Sequence, residues 1–184
     1  MNNYREAILA HYITQWKVNP RGFQAKAGPV YQGIQEFEIL EFPPSDTRDM
    51  WIYATSGMSS ITSDSFIELH VFSARQCEAL AALLTAVAHY HQTEQVLFVG
   101  HTVNFGIPWQ ESSPCTYGLI SMPYLDGPVL EEMQYGHKEV DCYWLIPITK
   151  AERDFKKANG LEALEELFDE NGLDYVNPYR KSVV

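Results

Sequence analysis

The segment 74–91 constrains the fold of this chain more than any other part of the sequence. Ser73 followed by Gln76 forms a capping box, which predicts a helix start. The apolar residues that follow recur at three- and four-residue spacing, and together they form one stripe: Cys77, Leu80, Ala81, Leu84, Val87 and Ala88. The nearly apolar run 79–88 is much shorter than the roughly 20 residues that a membrane-spanning helix needs. We therefore expect a helix that packs inside a globular domain, and no membrane association.

Extended segments and helices surround this central helix. Helical spacing is found at 3–17, 149–158 and 161–171, and the Gly- and Pro-containing stretch 18–33 is predicted to be irregular. Apolar and aromatic runs predict six strands: 35–42, 50–55, 66–72, 96–99, 115–122 and 140–147. The first strand shifts its alternation at 40–42, which indicates either a bulge or burial of both faces.

The order of these elements predicts one α+β domain over residues 1–184. Its sheet is expected to be mostly antiparallel or mixed. The long central helix packs on the sheet, together with the N-terminal and C-terminal helices. We find no repeat and no linker that would divide the chain.

The charge balance excludes several classes of partner. The chain has 13 Lys and Arg residues against 24 Asp and Glu residues, a net charge of −11. Binding to nucleic-acid phosphates needs an excess of basic residues, so no nucleic-acid partner is expected. Without a basic segment leading into an apolar run at residues 1–6, and with three widely spaced cysteines, we predict a cytoplasmic protein. A basic protein partner is compatible with this charge.

Catalytic and metal-binding signatures are missing from the sequence. There is no P-loop, no G-x-S-x-G and no H-E-x-x-H motif, and His89 and His91 lie two residues apart, a spacing that points them in different directions. We therefore predict no cofactor, no metal and no enzymatic activity. A cysteine hydrolase remains the alternative, and its residues would come from the following set: Cys115, Cys142, His101, His137 and Asp141.

Two polar loops, each following a predicted strand, are the candidate binding surface at 56–60 and 101–110. Loops at strand ends often carry recognition residues, although turn chemistry also explains such residues. The candidates are Ser56, Gly57, Met58, Ser59, His101, Thr102, Asn104, Phe105 and Trp109. Residues 152–174 contain eight acidic and three basic residues, a net charge of −5, which indicates a solvated helical face or a second place for a basic partner.

Four motifs occur in order along the chain: YATSGMS at 53–59, ELHV at 68–71, GHTV at 100–103 and YWLIPIT at 143–149. With these motifs the chain resembles the suppressor of fused family, in its compact bacterial single-domain form. The resemblance covers residues 34–174, with the N-terminal helix 3–17 appended.

The resemblance implies a non-enzymatic, intracellular protein-binding module. Animal members of the family bind and restrain a transcription factor in Hedgehog signalling, and they hold its peptide between two lobes. This chain has room for one lobe, so the peptide clamp does not carry over. Bacterial members suggest an immunity protein that neutralises a toxin, with a basic toxin domain as the partner. The oligomeric state stays open.

Overall fold

The computed structural model describes residues 4–23, 37–59 and 66–184. Within these ranges the chain forms five helices and eight strands. The helices are α1 (Tyr4–Trp16), α2 (Ala79–Thr93), α3 (Pro128–Glu131), α4 (Lys150–Asn159) and α5 (Leu161–Asn171). The strands are β1 (Arg21–Phe23), β2 (Glu38–Phe42), β3 (Trp51–Ser56), β4 (Phe66–Ser73), β5 (Thr102–Asn104), β6 (Cys115–Ser121), β7 (Glu132–Tyr135) and β8 (Lys138–Thr149).

One mixed sheet joins all of the described strands, in the order β1-β2-β3-β4-β8-β6-β5, with β7 paired to the first residues of β8. The β4–β8 pair is parallel, and the other pairs are antiparallel. The prediction of a mostly antiparallel or mixed α+β fold is confirmed.

The sheet separates two apolar cores, because successive strand residues point to opposite sides. On the α1/α5 face, Trp144, Ile146 and Ile148 of β8 join α1, Leu164 and Phe168. On the α2 face, Leu145 of β8 packs with the apolar stripe of α2.

Several predicted elements agree with the structure. The helix at 3–17 is α1, and a complete capping box between Thr149 and Glu152 begins α4. Gly172, with φ 58°, ends α5 in the left-handed conformation that glycine adopts without strain. Strand β2 is buried along Ile39–Phe42, so burial of both faces explains its irregular alternation.

The start of the central helix was predicted wrongly. Helix α2 begins at Ala79, and Ser73 is still part of β4, where its hydroxyl donates to the carbonyl of Arg75. The Gln76 side chain donates to Glu41 (2.7 Å) and forms no capping box. The hydroxyl of Ser73 thus makes a local turn contact, and the side chain of Gln76 reaches the distant Glu41 of β2, so neither residue caps the helix.

Other corrections concern short elements. Residues 96–99 form no strand, and Val96 and Phe98 are 48% and 51% exposed. Strands β1 and β5 lie in segments predicted to be irregular or loop-like, and α3 and β7 were not predicted at all. Residues 24–33 of the first of these segments lie outside the described residues.

A buried ion pair fastens the C-terminal segment to the start of α4. Both Glu152 and Arg180 are buried, with 2.6 Å between Arg180 Nη1 and Glu152 Oε1. Arg180 also donates to the carbonyl of Pro147 in β8, and the Val183 amide donates to Glu152. Burial alone would raise the pKa of Glu152, but the hydrogen bond and charge of Arg180 hold it below its ordinary value.

Candidate binding surfaces

The predicted recognition residues 56–59 are buried. Met58 is fully buried, and Ser56, Gly57 and Ser59 are buried as well. The expectation that these residues form an exposed binding surface is therefore corrected. Residue 60, the last of this predicted loop, lies outside the described part of the chain.

A buried carboxylate explains why this turn lies inside. Glu68 on β4 accepts hydrogen bonds from the backbone N–H groups of Gly57 (2.8 Å) and Met58 (3.1 Å), and from the hydroxyls of Tyr4 (2.7 Å) and Thr55. Burial raises the pKa of Glu68, and these donors oppose that effect. The carboxylate of Glu68 thus ties the turn after β3, and α1 through Tyr4, to the sheet, which is a structural role.

Ser59 and His91 form a buried pair that resembles a catalytic dyad only in composition. His91 Nδ1 accepts a hydrogen bond from the Leu97 amide (3.0 Å), so we assign the ring proton to Nε2. That proton points to Ser59 Oγ, 3.3 Å away, and a ring in this tautomer cannot take the hydroxyl proton. The pair instead joins β4 to the end of α2.

The cysteines have the properties of core thiols. Cys115 and Cys142 are buried, and burial raises the pKa of both groups, well above the ordinary value for Cys142. Among the residues that the structure describes, no three His, Cys, Asp or Glu side chains lie together in a metal-binding arrangement. No described helix is long and apolar enough to cross a membrane.

The second predicted loop borders an apolar groove, which we call the α2 groove. Asn104 is exposed, whereas His101, Thr102 and Phe105 are half-buried. Trp109 is 2% exposed and belongs to the core, which corrects its prediction as part of an exposed binding surface. The groove has a volume of about 360 Å³ and no charged lining residue: Ala79, Ala82, Leu83, Ala86, Val87, Tyr90, Val103, Asn104, Phe105, Ile107, Pro108 and Trp109.

Local contacts set the shape of the α2 groove. The ring of Phe105 lies over Gly118 in β6, where a Cβ atom would come within 2.5 Å of the ring. The amide of Gly106 donates to the side chain of Asn104 (2.9 Å), which closes the turn after β5. Small alanine side chains on α2 leave the space between the helix and this turn open.

A second and larger groove lies on the α1/α5 face, and we call it the acidic groove. Its volume is about 650 Å³. Buried apolar side chains from β8 and α5 form its floor, and the exposed Tyr124 and Leu125 form one rim. Four carboxylates of α5 form the other rim: Glu162, Glu165, Glu166 and Asp169.

The described part of the protein does not neutralise the carboxylates of this rim. Glu165 accepts hydrogen bonds from Ser121 Oγ (2.7 Å) and from the hydroxyl of Tyr124 (3.4 Å), both uncharged donors. None of the four acids forms an ion pair with a Lys or Arg of the described segments. Burial and the nearby charges of Glu165, Asp169 and Glu131 raise the pKa of Tyr124.

Sequence reasoning assigned this acidic run to a solvated helical face, with a basic partner as the second interpretation. The spacing of residues 162, 165, 166 and 169 places all four carboxylates on one side of a helix, so this edge was visible in the sequence. The apolar floor was not visible, because Trp144 and Ile146 come from a strand distant in sequence.

The class of protein follows from these features. It is an α+β domain with an uncharged groove on one face of its sheet and an acidic groove on the other, and two of its three thiols are buried. The family model described as Suppressor of fused protein (SUFU) matches residues 33–181. The chain belongs to the suppressor of fused family.

Solved structures agree with this assignment. A protein assigned as a SUFU homolog from Neisseria gonorrhoeae FA 1090 is 31% identical, with a TM-score of 0.87 over 98% of this chain and 97% of that chain. A chain of the Sufu–Fu complex is 15% identical, with a TM-score of 0.72 over 98% and 92% of the two chains. Drosophila Suppressor of Fused is 16% identical, with a TM-score of 0.73 over 97% of this chain and 50% of that chain. The last two similarities concern the fold alone. No curated protein matches the sequence.

Proposed function

We propose that this chain is a non-catalytic module that binds a basic protein partner in the acidic groove. The observation that carries the proposal is the combination of an apolar floor with four carboxylates that the described part of the chain leaves without ion pairs. Apolar area supplies affinity, and complementary charge increases the association rate and excludes wrong partners. The net charge of −11 acts in the same direction at longer range.

Family membership supports a binding function. The suppressor of fused family is a protein-interaction module, and one similar structure is that of a Sufu–Fu complex. The specific form that we propose is an immunity protein, in which the basic partner is a toxin domain. The α2 groove, bordered by Asn104 and Phe105, is proposed as an additional contact region for the same partner.

The cysteine hydrolase remains the weaker alternative. A catalytic cysteine needs an accessible thiol with a lowered pKa. Cys115 and Cys142 are buried with raised pKa values, and Cys77 is half-buried. No observation favours this function over partner binding.

The test compares two variants with the same change in charge. Glu166→Lys with Asp169→Lys reverses the rim of the acidic groove, and Glu94→Lys with Glu111→Lys reverses two exposed acids that line neither groove. Affinity capture from native cells identifies a stoichiometric protein, which is then purified and titrated against each form by calorimetry. We expect the groove variant to bind at least about tenfold more weakly, and the control variant to bind like the parent protein. Equal binding by the two variants, or capture of no stoichiometric protein, contradicts the proposal.

The immunity form has its own test. Cells that express the captured partner are expected to grow when the parent chain is coexpressed, and to stop growing when the groove variant replaces it. Unchanged growth in both cases would reject the immunity form, while the calorimetric result would still decide the binding function.

A further inference from the structure

The strand residues that line the acidic groove have a paired backbone. They belong to β8 and β6, and these strands are paired with each other along Ser121–Trp144 and Leu119–Ile146. Where the two strands pair, their backbone N–H and C=O groups bond to each other. A peptide in an extended conformation needs an exposed strand edge for its own backbone hydrogen bonds, and this floor offers none.

A helix satisfies its backbone internally, and it fits this constraint. The carboxylates of α5 also repeat with helical periodicity, at positions 162, 165, 166 and 169. From Glu162 to Asp169 the rim extends about 10 Å, at about 1.5 Å per residue. Basic side chains three and four residues apart on a second helix would lie opposite this row.

Several charges of α5, other than that of Glu162 in its first turn, oppose the preferences of the helix itself. Its last turn contains Asp169 and Glu170 and no basic residue, although the carboxyl end of a helix favours positive charge. The like-charged pairs Glu162–Glu166 and Glu165–Asp169, each four residues apart, also repel each other. A cationic occupant would relieve both effects.

The geometry points to an amphipathic basic helix of the partner as the occupant of the acidic groove. Its Lys and Arg residues would face the carboxylates of α5. Its apolar side chains would contact the floor and the side chains of Tyr124 and Leu125, which are 61% and 44% exposed. This inference rests on the proposed function, since it specifies the segment that a basic partner would present.

A designed peptide tests this inference without knowledge of the partner. The probe is an Ala-rich peptide of about 15 residues, a length at which an isolated helix is marginal in water. Lys residues repeat at three- and four-residue spacing, and Leu residues occupy the adjacent side. Anisotropy of a labelled peptide measures its affinity, and circular dichroism measures the helix gained on binding.

We expect saturable binding with an increase in helicity. Glu166→Lys with Asp169→Lys should weaken binding at least about tenfold, and the Glu94→Lys, Glu111→Lys control should leave it unchanged. A peptide of the same composition in scrambled order, and one with a central Pro that breaks the helix, should both bind at least about tenfold more weakly. Equal binding of the Pro peptide, or equal binding by the groove variant, would overturn the inference.

The two proposals can fail separately. If the captured partner binds through the acidic groove while the helical peptide does not bind, the helix inference is wrong and the proposed function stands. If neither the partner nor the peptide distinguishes the groove variant from the control, both are wrong.

Discussion

Core side chains line part of both grooves, but the rims of the two grooves differ in charge. In each groove, core side chains form part of the lining, represented by Trp109 on the α2 face and by Trp144 on the α1/α5 face. The α2 groove has no charged lining residue, whereas four carboxylates border the acidic groove. Folding stability is expected to depend on the floors of both grooves, and partner selection on the acidic rim.

This contrast shows where information about function is found in the chain. Large buried side chains are needed for the fold, so their presence in a groove says little about a ligand. The rim acids of α5 contribute no ion pair within the described structure, and one of them, Asp169, opposes the helix dipole at the carboxyl end of α5. Residues that a fold does not need, in places that a helix disfavours, are the better indication of a binding role.

The largest expected effect concerns Trp109, a core side chain that lines the α2 groove. Trp109→Ala should reduce the free energy of unfolding by about 3–5 kcal/mol, because the side chain is 2% exposed and its loss leaves a cavity. Denaturant unfolding measures this change. Trp109→Phe is the control: its indole N–H has no hydrogen-bond partner within the described structure, so removing that group should cost less than about 1.5 kcal/mol. A stable Trp109→Ala variant would show that this residue is not part of the core.

The next effect concerns His70 in the α1/α5 core. Burial, together with the charge of Arg48, lowers the pKa of His70 to about 3. The unfolded chain binds a proton at His70 below about pH 6.5 and the folded protein does not, so stability should fall as the pH is lowered from 6.5 towards 3. The loss attributable to His70 is about 1.4 kcal/mol per pH unit in this range.

Unfolding titrations of the parent protein and of His70→Leu between pH 4 and pH 8 measure this slope. We expect the variant to lose that part of the pH dependence. The matched variant His91→Leu, on the α2 face, should remove a smaller part, because the pKa of His91 is lowered by burial to a lesser extent. If the free energy of unfolding of His70→Leu had the same pH dependence as that of the parent protein, the attribution of this pH dependence to His70 would be wrong.

The smallest expected effect concerns Asp169, one of the carboxylates on the rim of the acidic groove. Asp169→Asn removes a negative charge from the last turn of α5, which should raise the free energy of unfolding by about 0.3–1 kcal/mol. The same substitution should weaken binding of the basic helical peptide. Thermal unfolding and anisotropy, measured on one preparation, give both numbers. Lower stability together with unchanged peptide binding would contradict both expectations.

The sequence predicted the parts of the fold that depend on local pattern. Periodicity located α1, α4 and α5, and the Thr149 capping box is present as predicted. The prediction failed where strand formation depends on a partner strand that is distant in sequence. Residues 96–99 have the composition of a strand, but no neighbouring strand pairs with them in the described sheet. Similarly, β5 forms because β6 provides backbone partners for Thr102 and Asn104.

The same distinction applies to the candidate sites. Ser56–Ser59 has the composition of an exposed loop, and its burial depends on Glu68, whose carboxylate is the acceptor for this turn. The pattern of small polar residues could not reveal that acceptor. By contrast, the carboxylates of α5 were recognisable as one helical face, because their relation is set within a single element.

The buried pair of Glu152 and Arg180 has a consequence for the synthesis of the protein. Arg180 is added to the growing chain 28 residues after Glu152. Until it emerges from the ribosome, a nascent chain that packs α4 onto the sheet must bury an uncompensated carboxylate, which is strongly unfavourable. The start of α4, and with it the attachment of the helix that carries the acidic rim, is therefore completed only after Arg180 has been added. Partner binding at that rim is expected to follow the formation of this ion pair.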